Sequence, residues 1–202
     1  MPVQDVAGAS TCGDVPARVW PSIRPLLREW AGIIIDNKPV TPARRDATPA
    51  GEVVIFTDAS QDGWGAIVVD GASVHVSKGS FSTAAALHIN IKEILAARNG
   101  LRERPFSLAG RPVQLVIDNT TAKAAVRRGY SRSFSVNLTT RRLAEVLVDR
   151  GVGDIRVSYI KSADNPSDEP SRGKDVDASK TRRACDILQQ LPSVWGAGVR
   201  SA

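Results

Sequence analysis

Two aspartates in this chain stand at the ends of apolar runs. Asp58 closes "VVIFTD" and Asp118 closes "VQLVID". A carboxylate directly after four or five apolar residues is poorly solvated unless it caps the next turn or binds something. Two acids placed alike point toward a shared site. Glu93 lies inside "HINIKEILAARNG", where its neighbours one turn away are Ile89, Asn90, Ala96 and Ala97. A solvated helix acid sits among Lys and Arg. Lys92 is adjacent, but a helix turns it about 100° away. The stretch "IKSADNPSDEPSRGKD", residues 160–175, holds four more acids, Asp164, Asp168, Glu169 and Asp175, in the composition of a flexible linker. Acids converging on one point repel one another unless divalent cations sit between them. All-oxygen ligands suit Mg²⁺ or Mn²⁺. Two such ions a few ångströms apart can hydrolyse a phosphodiester, one activating water and the other stabilising the leaving oxygen.

The elements that must position these acids can be read from residue 52 onward. "VVIFT" is a buried-strand run, "WGAIVVD" a second strand, and "GASVHVSKG" a turn and a third strand alternating through Val74 and Val76. "STAAALHINIKEILAARNG" predicts a helix that starts at Ser82 or Thr83 and stops at Gly100, with Leu87, Ile91, Ile94 and Leu95 on one face. "PVQLVID" is a fourth strand. "NTTAKAAVRRG" is a short helix ended by Gly129. "NLTTRRLAEVLVDRG" is another, with Leu138, Leu143, Val146 and Leu147 inward. "DIRVSYI" is a fifth strand, and "ASKTRRACDILQQL" a terminal helix. A meander of strands 1–3 followed by helix-linked strands 4 and 5 predicts an α/β fold: a mixed sheet with helices on its faces. Ligands of such sheets collect at strand ends.

The first fifty residues are weakly patterned, apart from "WPSIRPLLREWAGII", where Trp20, Ile23, Leu26, Leu27 and Trp30 recur at helical spacing. "PVTPARRDATPAGE" then breaks structure. The expected organisation is an N-terminal extension over 1–50, a catalytic domain over 51–173, and a C-terminal helix and tail over 174–202.

The 202 residues carry a formal net charge of +6, which favours a polyanionic partner, nucleic acid first. From Lys123 to Arg142 there are six basic residues and no acid: Lys123, Arg127, Arg128, Arg132, Arg141 and Arg142, with Tyr130 and Phe134 interleaved. Such a run is either a solvated helix face or a surface that tracks phosphates. The two cysteines, Cys12 and Cys185, form no CxxC or Cys/His cluster, which argues against a zinc site and fits a reducing compartment. No apolar run is long enough to span a bilayer and no signal pattern opens the chain. An intracellular location, cytoplasm or nucleus, is expected.

"FTDAS" followed by "GWGA", then "HINIKEILA", "VIDNTTA" and "NPSDEPSR" resembles the ribonuclease H domain of reverse transcriptases, over about residues 52–172. The forms "HIN..E" and "NP.D..SR" are most similar to retrotransposons of the tyrosine-recombinase, DIRS-like type. The resemblance implies a ribonuclease H-like fold with a five-stranded mixed sheet. It also implies endonucleolytic cleavage of the RNA strand of an RNA/DNA hybrid, with an upstream reverse transcriptase domain in the same polyprotein. Carried onto matching positions, Asp58 bridges two metal ions. Glu93 and Asp118 complete the leaving-group ion, and Asp168 holds the water-activating one. Asn90 matches a position that reads the minor groove of the hybrid, where 2′-hydroxyls distinguish RNA from DNA; the alternative is an Asn bonded locally. Ser60 and Asn119, inside the same motifs, join Asn90, Lys123, Arg127 and Arg128 as expected substrate contacts.

One departure concerns turnover. Many members of that family carry a His in the loop before the fourth acid, and "IKSADNPSD" has none. His75 reads as a half-exposed strand residue, and His88 as structural or substrate-adjacent. The same loop is expected to be mobile until metal or substrate orders it. Three other readings compete: a catalytically inactive domain of the same fold that binds nucleic acid or a partner, an integrase- or resolvase-type enzyme, and a structural basic domain. Four intact acids oppose the first, Glu93 with Asn90 on a helix between strands opposes the second, and two strand-terminal acids oppose the third.

Overall fold

In the computed structural model, residues 51–81, 86–103 and 107–190 are described, with residues 28, 31 and 32 of the N-terminal stretch. Two units divide the chain, residues 1–44 and 45–202. The amphipathic segment expected near Trp20 lies outside the described residues except for Arg28, Ala31 and Gly32, which have helical backbone.

The five expected strands form one sheet. They are β1 (Val53–Ala59), β2 (Gly63–Asp70), β3 (Ser73–Ser80), β4 (Pro112–Ile117) and β5 (Asp154–Tyr159). Their order across the sheet is β3-β2-β1-β4-β5. β1, β2 and β3 pair antiparallel as a meander, whereas β4 pairs parallel to both β1 and β5. Apolar β1 and β4 lie at the centre, buried on both faces as their uninterrupted runs require. The β2–β3 reversal needs only two residues, and Gly71 supplies the positive φ of 56° that such a tight turn demands.

The helices are α1 (Ile89–Arg102), α2 (Thr120–Arg128), α3 (Phe134–Asp149), the short α4 (Asp168–Ser171) and α5 (Ala178–Gln189). On one sheet face Ile91, Ile94, Ala97 and Leu101 of α1, Ala122 and Ala125 of α2 and Val136, Leu143 and Val146 of α3 pack on Val53, Ile55, Val68, Leu115 and Ile117. On the other, Ala184 and Leu188 of α5 pack with Phe56, Ile67 and Val116. This is the expected α/β, ribonuclease H-like architecture, with a five-stranded mixed sheet and helices on both faces.

Several local expectations are corrected. α1 begins at Ile89, later than expected, with His88 as its N-cap: the imidazole Nδ1 accepts from the Asn90 amide at 3.2 Å; Ser82 and Thr83, the expected start, lie outside the described residues. Leu87 is therefore outside the helix and exposed. Gly100 does not stop α1, which runs two residues further. Its role is close packing, since a Cβ there would stand 2.6 Å from that of Ala66 on β2. Leu138, expected inward on α3, is exposed, while Leu143 and Val146 are buried. Val74 and Val76 of the edge strand β3 are exposed too. Gly129 ends α2 as expected, in the left-handed conformation with φ 73°.

Candidate active site

Strand register brings the first two acids together. β1 and β4 run parallel, and their last paired residues are Thr57 and Ile117. Asp58 and Asp118 are the next residue on each, so they emerge side by side at one end of the sheet, where neighbouring strands are about 4.8 Å apart. Glu93 approaches from α1, which packs across that end through Ala96 against Ala59, Trp64 and Phe81. One carboxylate oxygen from each of Asp58, Glu93 and Asp118 lies within 4.8 Å of the others. Asp58 and Glu93 are buried; Asp118 is half-buried.

The electrostatics of this cluster are unfavourable as it stands. Burial pushes the Glu93 carboxyl up to about 9, with the charges of Asp118 and Asp58 adding to the rise. Burial also raises Asp58 to about 6, against a lowering contact from Ser171 and with Asp118 and Asp168 adding repulsion. Glu93 Oε2 is shielded from solvent and has no hydrogen-bond partner among the described residues. An orphaned buried acceptor costs about 1–3 kcal/mol or more. Three hard oxygen donors, two raised acids and one orphaned oxygen are a donor set that fits a divalent cation, which would reverse each of these penalties at once.

Asp168 is placed differently. It opens α4, close enough for its charge to raise Asp58, yet outside the set of three. Its Oδ1 accepts from Arg172 Nη2 at 2.9 Å and Nε at 3.2 Å. The surrounding stretch is not the loose linker its composition describes. Asn165 is fully buried and donates from Nδ2 to the Thr57 carbonyl at 3.0 Å, while its Oδ1 accepts from the Ser167 amide. Pro170 and Ser171 are buried against β2 at Gly65, where a Cβ would meet the Ser171 nitrogen at 2.5 Å. Polar residues here make a packed element because Asn165 and Ser171 bond to backbone, although the buried Ser167 hydroxyl has no partner among the described residues.

The remaining expected site residues split into two groups. Ser60 ties the β1–β2 turn to α4: its hydroxyl donates to the Ser171 carbonyl at 2.7 Å and accepts from the Gly63 amide at 3.0 Å. Asn119 caps α2, accepting from the Ala122 amide at 2.9 Å, and donates from Nδ2 to Asn90 Oδ1 at 3.0 Å. Asn90 thus pairs with Asn119 beside Glu93 and Asp118. Lys123 lies farther along α2, its Nζ 5.9 Å from the centre of the Tyr159 ring. Arg127 and Arg128 are exposed on the last turn of α2. His75 is half-buried on β3.

Sequence reasoning missed Lys92, which is only 2% exposed. Its ammonium donates to the Gln61 carbonyl and lies 5.9 Å from the Phe81 ring centre, pinning the turn after Asp58. It also missed the tie made by Asn165 and the hold of Arg172 on Asp168. Both residues stand in the quoted "NPSDEPSR" region, so the signal was proximity to a marked acid, without any local pattern to assign a partner.

No family model matches the chain, and no curated protein matches it by sequence. Solved structures do. The N-terminal RNase H domain of a Mycobacterium tuberculosis protein is similar over 68% of this chain and 99% of its own, with 14% identity and a TM-score of 0.51. RNase H1 from the halophilic archaeon Halobacterium salinarum is similar over 59% and 94%, with 19% identity and a TM-score of 0.49. LC11-RNase H1, solved with an RNA/DNA hybrid, is similar over 60% and 95%, with 15% identity and a TM-score of 0.49. The first of these establishes the fold as ribonuclease H-like. Among the described residues, no helix is long and apolar enough to cross a membrane.

Proposed function

We propose that this protein is a metal-dependent ribonuclease H that hydrolyses the RNA strand of an RNA/DNA hybrid. The observation that carries the reading is the convergence of Asp58, Glu93 and Asp118 within 4.8 Å, on a sheet of this fold. Asp58, Glu93 and Asp118 would hold one Mg²⁺ or Mn²⁺, and Asp58 with Asp168 a second. Bound there, the ions would supply Lewis acidity for phosphodiester hydrolysis, activating water and neutralising the leaving oxygen. The chain's own residues do the rest. Lys92, Ser60 and Asn165 hold the turn after Asp58 and the element carrying Asp168 in register. Asn90 and Asn119 are paired with each other, and their amides would meet ribose hydroxyls of the hybrid. Lys123, Arg127 and Arg128 would track backbone phosphates.

The motif forms further support a place in a retroelement polyprotein of the tyrosine-recombinase, DIRS-like type, with a reverse transcriptase domain upstream and action inside the cell. The 1–50, 51–173 and 174–202 division belongs to the same proposal.

The test is cleavage of a hybrid labelled on its RNA strand, with Mg²⁺ or Mn²⁺. The wild type cuts the RNA of the hybrid and leaves RNA and DNA duplexes largely intact. Asp118→Asn reduces cutting to background, because an amide is a poor ligand for a hard dication. Robust cutting by that variant, or none by the wild type with any divalent ion, refutes the assignment.

A further inference from the structure

Away from the carboxylates, four arginines gather in a pocket of about 520 Å³ between α1 and α3. Arg98 and Arg102 lie one turn apart on α1. Arg142 lies on α3, and Arg150 is its C-cap. Arg98 lies five positions after Glu93, which places it about 7.5 Å along the helix and about 140° around it. Arg102, nine residues on, projects from the side opposite Glu93. This pocket is therefore a different surface from the metal-binding cluster.

The charges are unbalanced. Only Glu145 and Asp149 oppose the four guanidiniums in the lining, leaving two positive charges in excess. Glu145 is also engaged outside it, by Arg141 at 3.4 Å. Arg150 Nη2 donates to the Arg102 carbonyl at 2.9 Å, which closes the end of α1 and fixes one wall. Arg98 bears the cost of the arrangement. Its Nε is shielded from solvent and has no hydrogen-bond partner among the described residues. Burial lowers its pKa, and the nearby Arg102 and Arg142 lower it further. A half-buried guanidinium crowded by like charges is an arrangement that an oxyanion relieves: it accepts from guanidinium N–H groups that face the pocket and offsets the repulsion.

We propose that Arg98, Arg102, Arg142 and Arg150 form a binding site for a phosphate monoester. Such a group carries about −1.5 to −2 charges near neutral pH, which matches the excess, and offers three acceptor oxygens to several guanidinium forks. A volume in the range of about 300–1,000 Å³ typical of small-molecule sites leaves space for the attached nucleoside. The group belongs either to a free nucleotide or to the phosphorylated end of a nucleic-acid strand. The site does not depend on the nuclease reading, because none of its residues touches the carboxylate cluster.

The experiment is an NMR titration of ¹⁵N-labelled protein at pH 6.5 with EDTA present, following the Arg98 Nε–Hε signal. The probes are thymidine 5′-monophosphate, an eight-residue oligothymidylate with a 5′-phosphate, the same strand without it, and thymidine. The signal shifts saturably with both phosphorylated probes and not with thymidine. Arg102→Gln with Arg142→Gln, two exposed positions, weakens binding at least tenfold while the rest of the spectrum is preserved. Tenfold tighter binding of the phosphorylated strand than of the mononucleotide assigns the site to strand ends; equal affinity assigns it to nucleotides. An unmoved Arg98 signal overturns the proposal without needing any variant. So does equal binding by the double variant, or equal affinity for the strand lacking its terminal phosphate.

Discussion

Glu93 concentrates the tension of the site in one residue. Its carboxyl is raised from an ordinary 4.5 to about 9 in the folded protein. The folded state therefore holds this proton more tightly than the unfolded chain does. The stabilisation is complete below the unfolded value and is lost as pH climbs toward the folded one. With metal removed by EDTA, stability should thus fall by on the order of a few kcal/mol in total between about pH 5 and pH 9, and the melting temperature with it. Glu93→Gln should abolish most of that slope and melt higher than the wild type at pH 8. Mg²⁺ should raise the wild-type Tm more at pH 8 than at pH 5.5. Thermal melts over this range decide it, and a flat wild-type profile in EDTA would show that Glu93 is not buried as a repelled acid. This residue was legible in the sequence because its helical neighbours were too apolar for a solvated acid. Lys92 was not, because its partners, the Gln61 carbonyl and the Phe81 ring, come from the hairpin and no local pattern brings them to it.

At the scale of elements, the stretch from 160 to 175 shows where composition misleads. Ser, Pro, Asp and Asn read as a linker because they bury little apolar area. Here they are held by polar ties, Asn165 to Thr57 and Ser60 to Ser171, that composition cannot register. The strands were read well because apolar runs have length and bounds. The start of α1 was misread because His88 took the capping role expected of Ser82 or Thr83. The fit of α4 over the sheet depends on Gly65, where an added Cβ would meet Pro170 Cβ at 2.7 Å and the Ser167 carbonyl oxygen at 2.8 Å. Backbone and ring atoms cannot yield cheaply, so Gly65→Ala should cost about 1–3 kcal/mol by overpacking. It should also displace Asp168 and weaken the rise of Tm with Mg²⁺. Gly51→Ala, which meets nothing within 4 Å, should leave both unchanged. Melts with and without Mg²⁺ separate the two outcomes, and a Gly65→Ala protein with wild-type stability would disprove the tight fit.

For the whole molecule, the question is where the surplus positive charge acts. The basic run read from the sequence is divided by the fold. Arg141 is paired with Glu145, Arg142 lines the pocket between α1 and α3, and Lys123 lies over Tyr159. Arg127, Arg128 and Arg132 are exposed and, among the described residues, join no ion pair. Exposed Tyr130 and Phe134 stand in the same stretch. Phosphate binding releases condensed counterions, so log K falls with log salt by about 0.9 for each phosphate neutralised on a B-form duplex. If Arg127 and Arg128 each meet a phosphate, replacing both with Gln should weaken hybrid binding and flatten that slope by up to about 2. The loss should appear in KM at low salt, with kcat little changed, since neither residue belongs to the acid cluster. Binding isotherms from 50 to 200 mM salt provide the measurement. An unchanged slope would mean that this end of α2 faces only solvent, and that the hybrid lies along another part of the surface.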